Sequence, residues 1–224
     1  MIETEKIRRV TRSKNDAKIF YSSISRLYDY SEGIFERKYI KMGVERLSVS
    51  EGDVVLEIGV GTGKSVIEFA RFVGKSGKVY GVDIADGMLD VTKRKLKKED
   101  LLDRVELVKK DAINLPFNDD FFDKVFMSFT LELFDTPEIA KVLSECFRVL
   151  KKGGRIGVVS LSKKKINAMV RMYEWLHDMF PRMLDCRPIF VEEALYEAGF
   201  KTVYVSIITM WGLTVEIVVG EIKI

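Results

Sequence analysis

The chain has 224 residues, 47% hydrophobic and 32% charged, and its 37 Lys and Arg against 34 Asp and Glu leave a net charge of +3. These figures describe an ordinary globular protein and exclude a disordered or membrane-spanning one, since no apolar run approaches the ~20 residues of a spanning helix. The small positive balance lacks the basic excess of a nucleic-acid footprint, and one histidine with two distant cysteines, Cys146 and Cys186, predicts no metal site.

In chain order, the polar N-terminus MIETEKIRRVTRSKNDAK carries no secretory apolar region, which predicts a cytoplasmic protein. Ile19, Phe20, Ile24, Leu27 and Tyr28, then Phe35, Tyr39, Met42 and Leu47, predict two amphipathic helices. They make residues 1–50 a helical appendage, or lid, ahead of a main domain at 51–224. From there, Val- and Ile-rich runs alternate with helical patterns, the signature of a parallel sheet covered on both faces. Strands are expected at 53–59, 78–83, 104–111, 122–129, 155–161, 201–208 and 213–220. Helices are expected at 64–73, 86–98, 137–149, 166–180 (an insertion within 163–190) and 191–198. The loop TMWG is too short for a crossover, so the last two strands must be antiparallel neighbours. The basic runs at 93–98 and 163–165 read as solvated faces, with at most peripheral membrane contact. The absence of glutamine beside abundant Lys and Glu gives a thermophile-like composition.

The stretch EIGVGTGKS at 57–65 admits three readings. A P-loop needs a glycine where Ile58 stands, and a dinucleotide fingerprint needs one where Lys64 stands. What fits is an acid followed by alternate glycines: Glu57, then Gly59, Gly61 and Gly63, at a strand end entering a helix. A carboxylate there serves phosphate poorly but suits an amine or sulfonium, and S-adenosylmethionine carries both cations and no phosphate. The plainer alternative is a tight turn with no ligand.

Two further acids fall at strand ends. Asp83 can accept from both hydroxyls of a ribose, and otherwise would cap a helix. Asp111 can accept from an adenine amino group, with Ala112 offering backbone polar groups and Ile84 and Met88 apolar faces. Three acids at successive strand ends share the edge where open α/β sheets bind ligands.

The runs VLEIGVGTGKSVIEFA, YGVDIADGMLD, KKDAINLPFNDDFFDKVFMSF and CFRVLKKGGRIGVVS resemble, in order and spacing, the motifs of class I S-adenosylmethionine-dependent methyltransferases. Within that superfamily they most resemble the group containing ubiquinone and menaquinone biosynthesis methyltransferases and related phospholipid N-methyltransferases. The resemblance implies a Rossmann-like three-layer α/β/α sandwich whose seven-stranded, mostly parallel sheet takes its one antiparallel strand, the last, beside the fifth. It also implies that Glu57, Gly59, Gly61 and Gly63 form the methionine-side loop, that Asp83 holds the ribose and that Asp111 and Ala112 frame the adenine. Ser128, Thr130 and Leu131 would lie against the methionyl portion. FYSSISRLYD resembles the quinone branch, although Tyr30 and Ser31 stand where that branch carries an asparagine-containing turn. In LKKGG, Lys152 replaces the usual proline as a turn variant.

Such an enzyme needs no covalent nucleophile, and a general base only if the acceptor must lose a proton. Glu132, His177 and Tyr28 are the candidates. Met169, Met172, Tyr173, Leu176, Met179 and Phe180 form a helical apolar stripe flanked by Trp175 and His177, either a core-facing helix or an adaptable cover for an apolar acceptor. Tyr28, Tyr173, Trp175, His177 and Arg187 are the candidate acceptor contacts; Arg182 and Arg187 could hold an anionic head group or merely pair at the surface. The expectation is methyl transfer to a small lipophilic acceptor, a quinone-like ring or lipid amine, by a monomer or homodimer. A P-loop hydrolase using Gly63, Lys64 and Ser65, and a noncatalytic methyltransferase-like subunit, are the rivals.

Overall fold

The computed structural model of the protein describes residues 7, 9, 10, 12–31, 33–165, 168–179 and 186–222, and of 26–31, 33–35, 168 and 178 the backbone alone. Seven strands, β1 (Val54–Ile58), β2 (Lys78–Asp83), β3 (Val105–Lys109), β4 (Phe122–Ser128), β5 (Leu150–Leu161), β6 (Phe200–Met210) and β7 (Leu213–Ile222), form one sheet in the order β3-β2-β1-β4-β5-β7-β6. Strands β1 to β5 pair in parallel, and β7 runs antiparallel between β5 and β6. The interior strands β1 and β7 are buried on nearly every residue, as strands covered on both faces must be. Edge strand β6 instead alternates between exposed and half-buried residues.

The helices are α1 (Lys14–Ser31), α2 (Gly33–Leu47), α3 (Lys64–Phe72), α4 (Asp86–Lys98), α5 (Thr136–Val149), α6 (Ala168–Met179) and α7 (Val191–Glu197). On α5, Ile139, Val142, Leu143, Cys146 and Val149 recur every three or four residues and are buried with Val191 and Leu195 of α7 against one sheet face. The other face takes α2, α3 and α4 through Val44, Leu47, Phe69 and Leu96. Helix α2 lies close on the sheet: a Cβ added at Gly43 would stand 2.4 Å from Val159 Cγ2. Helix α1 packs on α4. Among the described residues no helix is long and apolar enough to cross a membrane.

Several expected boundaries move. Strand β5 starts at Leu150, not 155, because KKGG, read as a turn, joins the ladder through a register shift opposite Phe122 and Lys124. Helix α5 starts one residue early, where the Asp135 side chain accepts from Thr136 N. The four-residue loop TMWG is a two-residue turn: Trp211 and Gly212 have φ of 53° and 85°, the pair of positive angles that suits the twist of a tight hairpin. Strand β3 ends at Lys109, so Asp111 sits in the following loop and not in the strand. A 3-10 turn at Leu131–Leu133 follows β4. Residues 166, 167 and 180 of the expected sixth helix lie outside the described residues.

Candidate functional site

Strand β1 has β2 on one side and β4 on the other, so the connections leaving its neighbours diverge at its C-terminal end. Such a switch point leaves a crevice beyond the strand ends. A cavity of about 520 Å³ lies there, and Gly59, Gly61, Asp83, Asp111, Ser128 and Thr130 all line it. Ile84, Met88 and Ala112 complete this wall.

The glycine loop is built for close approach. A Cβ at Gly59 would meet Thr130 Oγ1 at 2.3 Å, so the loop is clamped against the residues that follow β4. At Gly61, with φ of +50°, a Cβ would meet nothing within 4 Å: the bare backbone faces open space. Asp83 holds the loop from below. Its Oδ2 accepts from Gly61 N at 3.1 Å and its Oδ1 from Ala85 N at 2.9 Å. Burial raises the Asp83 carboxyl to about 6 against the opposing pull of the backbone amides.

Glu57 departs from expectation. It is fully buried beneath the loop, does not line the cavity, and accepts from the Ser65 hydroxyl in the first turn of α3. Burial raises it to about 8, with Ser65 opposing and the charge of Asp83 adding. Its Oε2 has no hydrogen-bond partner among the described residues. The Ser65 hydroxyl, which a P-loop would turn toward a metal and phosphate, is thus spent on a carboxylate. Gly63 is also off the cavity, its Cα against the Thr92 side chain. Leu131 points into the core.

The opposite wall comes from residues 10–40, within the segment expected as a helical appendage or lid. Val10, Arg12, Lys14, Ala17 and Tyr21 line the cavity from the N-terminal side, with Glu36 and Ile40 from α2. Lys14 Nζ bonds Asp111 Oδ2 at 2.6 Å and Glu138 Oε1 at 2.7 Å. Arg9 makes a forked pair with Asp135, whose Oδ1 also accepts from Val10 N. The partners of Arg9 and Lys14 lie more than 90 positions away in sequence.

The acceptor-side candidates are not gathered. Glu132 is fully buried behind the wall, bonded to Leu161 N, and Arg187 is 1% exposed, donating to Phe134 O and Thr136 Oγ1, so it pairs neither with a head group nor at the surface. His177, a candidate base and acceptor contact, is buried, and neither it nor Tyr173 nor Trp175 lines the cavity. Tyr173 donates to Cys186 O, and Trp175 is 57% exposed. The side chain of Tyr28, and Phe180 and Arg182, lie outside the described residues. Phe129, Leu133, Phe134 and Pro137, which were not singled out, make the apolar wall instead. Phe129 holds a φ of 47°, a conformation costly for an aromatic residue, and its N–H bonds Val159 O at 2.7 Å.

Residues 9–187 match the ubiE/COQ5 methyltransferase family. The chain is 35% identical over 162 residues to the ubiquinone/menaquinone biosynthesis C-methyltransferase UbiE of Proteus mirabilis, covering 70% of this chain and 63% of that protein. It is 31% identical over 173 residues to the demethylmenaquinone methyltransferase of Lactobacillus johnsonii, covering 77% and 68%. The matched region thus spans less than two thirds of the length of the Proteus protein. Among solved structures, the [4+2]-cyclase SpnF superposes with a TM-score of 0.79 at 17% identity over 97% of this chain and 98% of its own. A SAM dependent methyltransferase from Aquifex aeolicus gives 0.66 at 24% identity over 90% and 98%. These two likenesses show the fold.

Proposed function

This chain belongs to the ubiE/COQ5 methyltransferase family, and from that premise we propose that it transfers a methyl group from S-adenosylmethionine to a ring carbon of a quinone-like acceptor in its reduced form. The observation that carries this reading is the single cavity shared by the bare Gly61 backbone, Asp83 and Asp111 on one side and apolar aromatic side chains on the other. Its cofactor side offers carboxylates and exposed glycine backbone, which fits a cationic nucleoside without phosphate. When bound, S-adenosylmethionine supplies a methyl group activated on a sulfonium.

In this reading Asp83 holds the ribose hydroxyls, Asp111 and Ala112 frame the adenine, and Gly59, Gly61, Ser128 and Thr130 hold the methionyl portion, with Ile84 and Met88 as apolar packing. Glu57 acts from beneath, shaping the loop through Ser65. Tyr21, Ile40, Phe129, Leu133 and Phe134 exclude water and suit a flat ring, which positions the reactants without any covalent nucleophile. Glu36 lines this side from α2, and we assign to it the proton that a hydroquinone must release, in place of Glu132 and His177. The names of the relatives favour the ring over the lipid amine that the sequence also admitted.

The test is a calorimetric titration with S-adenosylmethionine and its demethylated product, with ATP and magnesium as control, followed by transfer of labelled methyl to a short-chain demethylated naphthoquinol. Binding of the first pair together with a C-methylated product supports the reading. Binding without transfer to any ring acceptor would favour the noncatalytic rival, and binding of ATP alone would end the methyltransferase reading.

A further inference from the structure

Behind the cavity wall lie one fully buried acid and one fully buried guanidinium that the reading above leaves unused. Glu132 sits on the 3-10 turn Leu131–Leu133, and its Oε1 accepts from Leu161 N at the end of β5, at 3.1 Å. Arg187 approaches from the segment ahead of α7. It donates to Phe134 O, and through Nη1 to Thr136 Oγ1 at 3.3 Å. Phe134 and Asp135, which these contacts bracket, are cavity wall, as are Ser128, Phe129 and Thr130 just upstream.

Both members keep a buried polar atom with no hydrogen-bond partner among the described residues, Oε2 of Glu132 and Nε of Arg187. Burial raises Glu132 to about 7, partly offset by backbone hydrogen bonds and the charge of Arg187. Burial lowers Arg187 to about 10, partly offset by the charges of Asp135 and then Glu132. Both sit in a medium where either charge alone is costly. An apolar pair of the same size would stabilise the fold at least as well. What a guanidinium adds is a rigid planar fork. Here that fork grips two acceptors two residues apart and sets the path of the chain from β4 into α5.

We propose that Glu132 and Arg187 are positioning residues, a buried acid and a buried guanidinium whose hydrogen bonds fix the wall Ser128–Thr136 against β5 and thereby set how tightly the cavity holds its ligand. This role rests on the cavity being the S-adenosylmethionine site.

The experiment compares wild type, Glu132→Gln, Arg187→Met, Arg187→Lys and the double variant Glu132→Leu/Arg187→Met. Each is measured for thermal transition, for S-adenosylhomocysteine affinity by calorimetry, and for amide hydrogen exchange. The single variants Glu132→Gln and Arg187→Met should weaken S-adenosylhomocysteine about ten-fold, the scale of one charge-assisted hydrogen bond. Exchange should quicken across 128–136 while β1 keeps its protection. The double variant should regain the thermal transition without regaining affinity, and Arg187→Lys should recover part of the affinity.

A double variant that regains affinity together with stability would overturn the role, as would single variants whose affinity stays within about two-fold of wild type. Should Arg187→Met not fold, Arg187→Lys and the double variant make the same comparison. If wild type binds no S-adenosylhomocysteine, the failure belongs to the functional reading and exchange alone decides. Acceleration confined to 128–136 then supports the role, and uniform or absent acceleration overturns it.

Discussion

Lys14 Nζ stands 2.6 Å from Asp111 Oδ2, joining the segment that enters α1 to the acid beyond β3 across 97 positions of sequence. The same ammonium reaches Glu138 at 2.7 Å, so one side chain joins two acids on the cavity wall. Both partners are half-exposed, and such pairs each contribute roughly 0.2–1 kcal/mol.

Losing both pairs should therefore speed release of a bound ligand several-fold with little change in thermal stability. Lys14→Met is expected to raise the dissociation rate of S-adenosylhomocysteine by about two- to ten-fold in stopped-flow displacement. High salt should move wild type toward the variant, because screening weakens exposed pairs. Equal rates for the two proteins would show that the bridge does not hold the site closed.

The two loop glycines should fail in different ways. At Gly59 an alanine combines a φ of +73° with a Cβ 2.3 Å from Thr130 Oγ1, and a loss of about 3 kcal/mol or more in urea unfolding is expected. At Gly61 the alanine meets only the left-handed backbone penalty of about 1–2 kcal/mol. Its methyl, however, occupies the space a ligand needs. Gly61→Ala should fold and lose at least about ten-fold in cofactor affinity by calorimetry, equivalent to roughly 1.4 kcal/mol.

Burial raises Glu57 to about 8, Asp83 to about 6 and Glu132 to about 7. A carboxyl whose folded pKa exceeds its unfolded value binds its proton more tightly in the fold. Its stabilising contribution is full below the unfolded pKa and is lost as pH rises through the folded one. The melting temperature of the ligand-free protein should therefore fall between about pH 4 and pH 8. Glu57→Gln, uncharged throughout, should flatten the upper part of that slope and raise the melting temperature at pH 8. A slope of the opposite sign in calorimetric scans would refute the assignment.

Asp135 has the reverse sign. The hydrogen bond from Arg9, helped by the backbone N–H groups of Val10 and Thr136, lowers it to about 2 against partial desolvation. Its contribution is present above the unfolded carboxylate range and disappears as pH falls through about 2. Asp135→Ala removes the α5 cap and should cost about 0.5–2 kcal/mol in denaturant titration. Asp135→Asn keeps a capping oxygen, so it should cost less while still freeing Arg9.

The positions of the strands and their parallel run were legible because Val- and Ile-rich stretches alternate with helical patterns, and the final hairpin could not cross over. The place of the last strand beside the fifth came from the family resemblance and not from the residue pattern. The glycine-loop wall of the cavity was legible for a related reason. Gly59, Gly61 and Asp83 sit at strand ends, where local pattern and position in the fold coincide. The opposite wall was not, since Tyr21 and Ile40 look like ordinary helix residues and Lys14 like a solvated charge until long-range packing brings them together. Glu132 and Arg187 misled for the converse reason. Polar residues near a motif suggest chemistry, whereas their burial is decided by β5 and the segment ahead of α7, which sequence spacing does not reveal.

The place of β7 has a consequence for assembly on the ribosome. Strand β6 is synthesised before β7 yet touches the sheet only through it. Until β7 is placed, β5 keeps an open edge and β6 has no neighbour, two long strands awaiting one filler. The tight Trp211–Gly212 turn lets β6 and β7 pair locally and dock as a unit, so the final step both seals β5 and moves the exposed edge outward to a bulged strand. The interval before that step is when chains are most open to pairing with one another, and its length depends on how fast this one hairpin closes.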